Sequence, residues 1–127
     1  MERKTPTVLI VDDDASVRKS VQTLLRSTGY TVQSFASGEE LLAKDPFEGP
    51  CCLVLDVQMP GMSGLDVQHR LAMSGRNVPI IFMTAQANAQ VRAQARQAGV
   101  PVLIKPFNAE TLIDAVEAAL GGAMWGN

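Results

Sequence analysis

Asp12, Asp13 and Asp14 follow directly on the apolar run Thr7–Val11, and Asp56 follows directly on Cys52–Leu55. Thr84 ends a run over Pro79–Met83, and Lys105 follows Val102–Ile104. Four runs of strand length therefore lead into carboxylates, a hydroxyl and an amine. Like charges gathered at one place cost free energy unless a cation joins them. A few hard carboxylate oxygens suit Mg2+, which keeps several waters and often shares its shell with a phosphate. Mn2+ is the alternative cation for such a set. A carboxylate beside such an ion can act as a nucleophile that accepts a phosphoryl group. Lys105 would then be a point charge for one phosphoryl oxygen, and the Thr84 hydroxyl a donor to another.

Each of these residues has a plainer reading when taken alone. Asp14 suits a helix cap, Asp56 before a Pro/Gly turn suits a turn former, and Thr is a common strand residue. Lys105-Pro106 is equally uninformative by itself. The set gains meaning only if one fold brings the run ends together.

The elements that would do so alternate along the chain. After Thr7–Val11, a continuous run suited to a strand buried on both faces, Val17, Val21, Leu24 and Leu25 make a single helical stripe. Asp14 or Ser16 can cap that helix, and Gly29 can end it in a left-handed turn. Thr31–Phe35 reads as the second strand, and Ser37-Gly-Glu-Glu40 has capping-box spacing before Leu41 and Leu42. Residues 45–50 read as a loop. Cys52–Leu55 is the third strand, followed by a turn with Pro60, Gly61 and Gly64 and a helix carrying Leu65, Val67 and Leu71. Pro79–Met83 is the fourth strand. Asn88–Ala98 reads as a fourth helix whose one large apolar anchor is Val91, stopped by Gly99. Val102–Ile104 is the fifth strand. Asn108 caps a last helix striped by Leu112, Ile113, Val116 and Leu120.

Strand alternating with helix argues an α/β fold, a parallel sheet covered on both faces. The expected architecture is a flavodoxin-like, doubly wound, five-stranded (βα)5 sheet in the order 2-1-3-4-5. In that fold the crevice beyond the carboxyl ends of the strands is where ligands bind.

Composition narrows the function. The chain has 127 residues, 46% of them hydrophobic and 19% charged, enough for a core and unlike a disordered segment. Residues 1–121 are expected to form one domain, with 122–127 as a tail or the start of a linker. The charge of −2 leaves no basic footprint for nucleic acid. The apolar runs are too short for a membrane span, and no signal-peptide pattern opens the sequence, so a cytoplasmic location is expected. Cys51 and Cys52 are adjacent, which excludes a disulfide framework and suits reduced, packed thiols.

With these motifs in place, the chain resembles a response-regulator receiver domain of two-component signalling. The resemblance runs from about residue 7 to 120. It is carried by Val-Asp-Asp-Asp (11–14), Leu-Asp-Val-Gln-Met-Pro-Gly-Met-Ser-Gly (55–64), Met-Thr-Ala (83–85) and Lys-Pro-Phe (105–107). Within the family, the segments 34–42 and 52–65 look like the FixJ-type transcriptional regulators, in which a receiver precedes a DNA-binding domain. The resemblance implies that Asp56 is phosphorylated by a sensor histidine kinase. It implies Mg2+ on Asp13, on Asp12 mostly through water, on Asp56 and on the backbone carbonyl of Gln58. Thr84 and Lys105 would contact the phosphoryl group, and the Lys105–Pro106 bond is expected to be cis. Pro60 and Gly64 would shape the loop behind the site, and Ala85 would leave room for the phosphoryl group. Such a domain is a signalling module, catalysing only its own phosphorylation and dephosphorylation.

One departure stands out. Where the family usually has Tyr or Phe, three residues before the lysine, this sequence has Val102. Any switch is therefore expected to act through backbone and fourth-helix shifts. The surface of helix 4, strand 5 and helix 5 is where the resemblance places output and phosphorylation-dependent homodimerisation. There Arg92 and Arg96 could meet Asp114 or Glu117 of a second copy, although a solvated face explains them as well. Other classes fit less well. A haloacid-dehalogenase-like phosphatase needs an acid two residues after its nucleophile, where Gln58 stands. A flavin or nucleotide binder needs a phosphate-cradling loop after strand 1, where Asp12–Asp14 would repel phosphate. His69, the sole histidine, reads as a surface side chain on the third helix.

Overall fold

A computed structural model describes residues 5–44 and 49–121. Five strands alternate with five helices: β1 (Thr7–Val11), α1 (Ala15–Ser27), β2 (Thr31–Phe35), α2 (Gly38–Leu42), β3 (Cys51–Asp56), α3 (Gly64–Met73), β4 (Ile80–Thr84), α4 (Ala89–Ala98), β5 (Val102–Ile104) and α5 (Ala109–Ala119). The strands form one sheet in the order β2-β1-β3-β4-β5, and all four pairings are parallel. This is the doubly wound order expected from the sequence. Residues 45–48 of the 45–50 loop and the 122–127 tail lie outside the described residues.

Alternation within the strands divides the core in two. Val8, Ile10, Cys52, Val54, Ile81 and Met83 pack against Val21 and Leu25 of α1 and Leu112 and Val116 of α5. Their chain neighbours Leu9, Val11, Leu53, Leu55 and Phe82 pack against Leu41 of α2, Val67 and Leu71 of α3, and Val91 and Ala95 of α4. Strands buried on both sides explain why β1 and β3 read as unbroken apolar runs.

The helix starts follow the capping chemistry of their sequences. Asp14 caps α1, its carboxylate accepting from the backbone N–H groups of Ser16 and Val17. Ser37 caps α2 by accepting from the Glu40 N–H, but no return bond from Glu40 completes a box there. The reciprocal box forms at α3 instead, between Ser63 and Asp66. β3 and β4 each extend one residue past the apolar run, so that Asp56 and Thr84 are the last residues of their strands. Gly99 ends α4 with φ 70°, a left-handed conformation that favours glycine. Among the described residues no helix is long and apolar enough to cross a membrane.

Candidate functional site at the carboxyl edge of the sheet

Register brings the strand ends together. Val11 pairs with Leu55, so Asp12 and Asp56 leave neighbouring strands at the same level. Thr84 pairs with Ile104, and the backbone N–H of Lys105 donates to the Thr84 carbonyl at 2.8 Å. Asp12, Asp56, Thr84 and Lys105 thus stand on four adjacent strands at one edge, which joins all four sequence-predicted groups. Asp13 lies beside them, exposed.

The carboxylates are more buried than a rim position suggests. Asp12 and Thr84 are 0% exposed and Asp56 only 4%. Asp12 Oδ1 accepts from the Asp14 N–H at 2.9 Å, and Oδ2 accepts from Lys105 Nζ, also at 2.9 Å. Lys105 Nζ lies 3.4 Å from Asp56 Oδ1, so one ammonium bridges both buried acids. It reaches from the edge strand across β4 and β3 to the end of β1. Arg18 of α1 braces the same corner, its Nη1 donating to the Asp12 carbonyl at 2.7 Å.

One ammonium does not offset the cost of this placement. Burial and the charge of Asp12 push the Asp56 carboxyl from 3.8 up to about 6, against the lowering effects of Lys105 and the Gln58 N–H. For Lys105, burial works against the charged form, but the two carboxylates outweigh it and the pKa is raised. One ligand oxygen each from Asp12, Asp13 and Asp56 lie within 4.8 Å of one another. Three hard oxygens around an under-compensated pair of buried acids fit a divalent cation of the Mg2+ type.

Thr84 completes the edge. Its hydroxyl lies 3.0 Å from Gln58 Oε1 and 2.8 Å from the Gln86 carbonyl, and it accepts from the Gln86 N–H at 3.1 Å. Gln86 and Arg18 were not singled out from the sequence, and Gln58 was expected only through its carbonyl. Gly64 has a plain steric reason: a Cβ there would meet the Asp56 carbonyl oxygen at 2.3 Å. The Lys105–Pro106 peptide is cis, as expected. Pro60 is exposed in the turn after β3, and Ala85 is exposed directly after Thr84. Val102 opens β5 opposite Phe82 and packs, half-buried, against the α2–α3–α4 core. Asp14 is occupied as a helix cap, and His69 is an exposed residue of α3, as expected. Both cysteines are free thiols, and burial together with Cys51 pushes Cys52 up to about 12.

Comparison with known proteins settles the kind of domain. The family model for the response regulator receiver domain matches residues 8–117. The chain belongs to the response regulator receiver family. This receiver is 44% identical over 115 residues to the transcriptional regulatory protein TdiR of Thauera aromatica, covering 90% of this chain and 51% of that one. It spans about half the length of the first curated relatives it matches. Among solved structures it resembles FixJ-N, with TM-score 0.85 and 34% identity over 93% of this chain and 95% of that one. It also resembles response regulator protein TrrA of Thermotoga maritima in complex with Mg2+ and BeF, with TM-score 0.77 and 28% identity over 91% of this chain and all of that one. Membership makes it a signalling domain of two-component systems.

Proposed function

We propose that residues 1–121 act as a phosphoacceptor receiver whose Asp56 takes a phosphoryl group from a sensor histidine kinase. The observation that carries this reading is the Lys105–Asp12–Asp56 bridge beside Thr84, on four adjacent strand ends. An Asp56 carboxylate oxygen attacks the phosphorus of the phosphohistidine in line. The O–P bond forms as the N–P bond breaks, the electron pair returns to the imidazole nitrogen, and an acyl phosphate remains. Asp12, Asp13, Asp56 and the Gln58 carbonyl would hold Mg2+, or Mn2+ in its place, which supplies positive charge against the phosphoryl oxygens when bound. Lys105 already sits at the carboxylate and contributes a fixed cation. Thr84 brings a hydroxyl to the strand ends, and Ala85 leaves its approach open.

A groove of about 800 Å3, lined by Leu71, Ile80, Pro101 and Ala115 among others, lies at the opposite end of the sheet. The partner in the reaction is proposed to be a phosphorylated side chain on another protein, and no turnover of an external substrate is proposed. The domain would work in the cytoplasm. Its output is proposed to be transcription, through a DNA-binding domain of the kind found in FixJ-type regulators, with no nucleic acid bound by the receiver itself. The added charge of about −1.5 to −2 would bias the α4, β5 and α5 surface. With Val102 in place of an aromatic, that bias would travel through Thr84, its loop and α4. A second copy of the chain is the proposed partner on that surface.

Incubation with acetyl phosphate and Mg2+ should give an acid-stable, base-labile adduct of one phosphoryl group on Asp56, read by mass. Its absence, with Asp56→Asn indistinguishable from the parent, would overturn the reading.

A further inference from the structure

The Thr84 hydroxyl is already committed in this structure. Among the described residues its hydrogen-bond partners are Gln58 and Gln86, and neither Asp56 nor Lys105 is one of them. A hydroxyl has one proton to donate. Gln58 Oε1 at 3.0 Å and the Gln86 carbonyl at 2.8 Å share it, while the Gln86 N–H occupies a lone pair. The two glutamines differ in kind. Gln86 lies two residues on, in the segment that leads from β4 into α4, and moves with Thr84. Gln58 belongs to the segment after β3, 26 residues away, so its bond is the tie between the two loops. Its own backbone N–H is turned to the Asp56 carboxylate.

We propose that the Gln58 side chain is a positioning residue that holds the Thr84 hydroxyl, and the loop behind it, in the unphosphorylated arrangement. The inference rests on Asp56 being the phosphoacceptor. A phosphoryl oxygen is a charged acceptor, and hydrogen bonds to charged acceptors are about twice as strong as neutral ones. It can claim the Thr84 proton only as Gln58 Oε1 gives it up. The amide of Gln58 thereby sets a threshold for switching. Because Gln86 leads directly into α4, release of Thr84 also frees the start of that helix to shift. In a receiver with Val102 where an aromatic is usual, this loop-to-loop tie supplies a brake next to the site itself. Gln58 is exposed, so removing its amide opens no cavity and leaves folding intact.

The test is Gln58→Met, which keeps the length of the side chain and deletes the amide. Affinity for beryllofluoride with Mg2+, a mimic of the phosphoryl group on Asp56, is read from the backbone amide signals of residues 84–88 during titration. Loss of one neutral hydrogen bond from the free state should tighten binding by about 2- to 10-fold. In a Thr84→Ala background the same change should have no effect, because the tie is already gone. Equal or weaker binding by Gln58→Met, or an equal gain in both backgrounds, overturns the role of Gln58 while leaving Asp56 as acceptor. Failure of the parent to take up beryllofluoride overturns the acceptor assignment and this inference with it.

Discussion

At Asp56, burial and charge work against the form that the chemistry needs. An unfolded aspartate titrates near 3.9, whereas burial and Asp12 bring the folded carboxyl to about 6. The fold therefore holds this proton more tightly than the unfolded chain does. Below about pH 4 both states are protonated and the site carries no penalty from this source. Between about 4 and 6 the unfolded chain releases its proton first and stability falls; above 6 the loss is constant. Two units correspond to a ceiling of about 3 kcal/mol. Asp56→Asn keeps the shape and removes the charge, so in EDTA it should gain about 1–3 kcal/mol above pH 6 and nothing near pH 4. Urea unfolding across that range measures it, and parallel curves at every pH would refute the account. Saturating Mg2+ should stabilise the parent more than the variant, by mass action. The acids, Thr84 and Lys105 were legible in the sequence because each directly follows or ends an apolar run. Gln86, Arg18 and the side-chain amide of Gln58 were not, since their contacts join chain segments through side-chain directions that spacing does not encode. Gly64 was legible as a turn former, but its closeness to the Asp56 carbonyl exists only in three dimensions.

Among the helices of ten residues or more, α4 buries the smallest side chains. Val91 and Ala95 are its buried residues, whereas β1 and β3 bury apolar side chains on both faces of the sheet. Its further hold on α3 is polar: the Gln94 amide donates to the Leu65 carbonyl at 3.0 Å and to Gln68 Oε1 at 3.1 Å. Few apolar anchors mean a low free energy of local opening. Amides of α4 should therefore exchange with solvent well before those of β1 and β3. Val91→Ala, which removes one of the two anchors, should lower the protection of α4 by about 1–3 kcal/mol. It should leave the β1 amides governed by global unfolding. Uniform loss across the sheet in native-state exchange would mean that α4 opens only with the whole fold. The sparse anchoring was visible in the sequence as a lone Val91 among small and polar residues. Capping was less so. The Ser-x-x-Glu template pointed to Ser37 and Glu40, yet the full box forms at Ser63 with an aspartate, which the template does not include.

For the molecule as a whole, phosphorylation at one edge matters only if a surface elsewhere reads it. Four exposed charges lie on the α4 and α5 faces: Arg92 and Arg96 on one helix, Asp114 and Glu117 on the other. Ile104 of β5, between those helices in the chain, is a large apolar side chain left 46% exposed. A two-fold axis makes every contact twice, so opposite charges on the two helices that flank the β5 edge can meet their complements in a second copy. Each exposed ion pair is worth only about 0.2–1 kcal/mol. In the unphosphorylated state, where Arg92 Nε is held by the Ala87 carbonyl at 2.7 Å, such a surface should remain monomeric. Beryllofluoride with Mg2+ should release Thr84 and its loop, which ends at Ala87 and Asn88, and free Arg92 for the partner. Sedimentation at about 100 μM, a concentration that reports contacts of about 5–6 kcal/mol, should then show a dimer with the mimic and a monomer without it. Raising the salt to about 0.5 M should weaken the dimer, because exposed pairs are screened within a few ångströms there. Arg92→Ala should weaken it too. A monomer under both conditions would remove the second copy as partner and leave the α4, β5 and α5 face to a different protein.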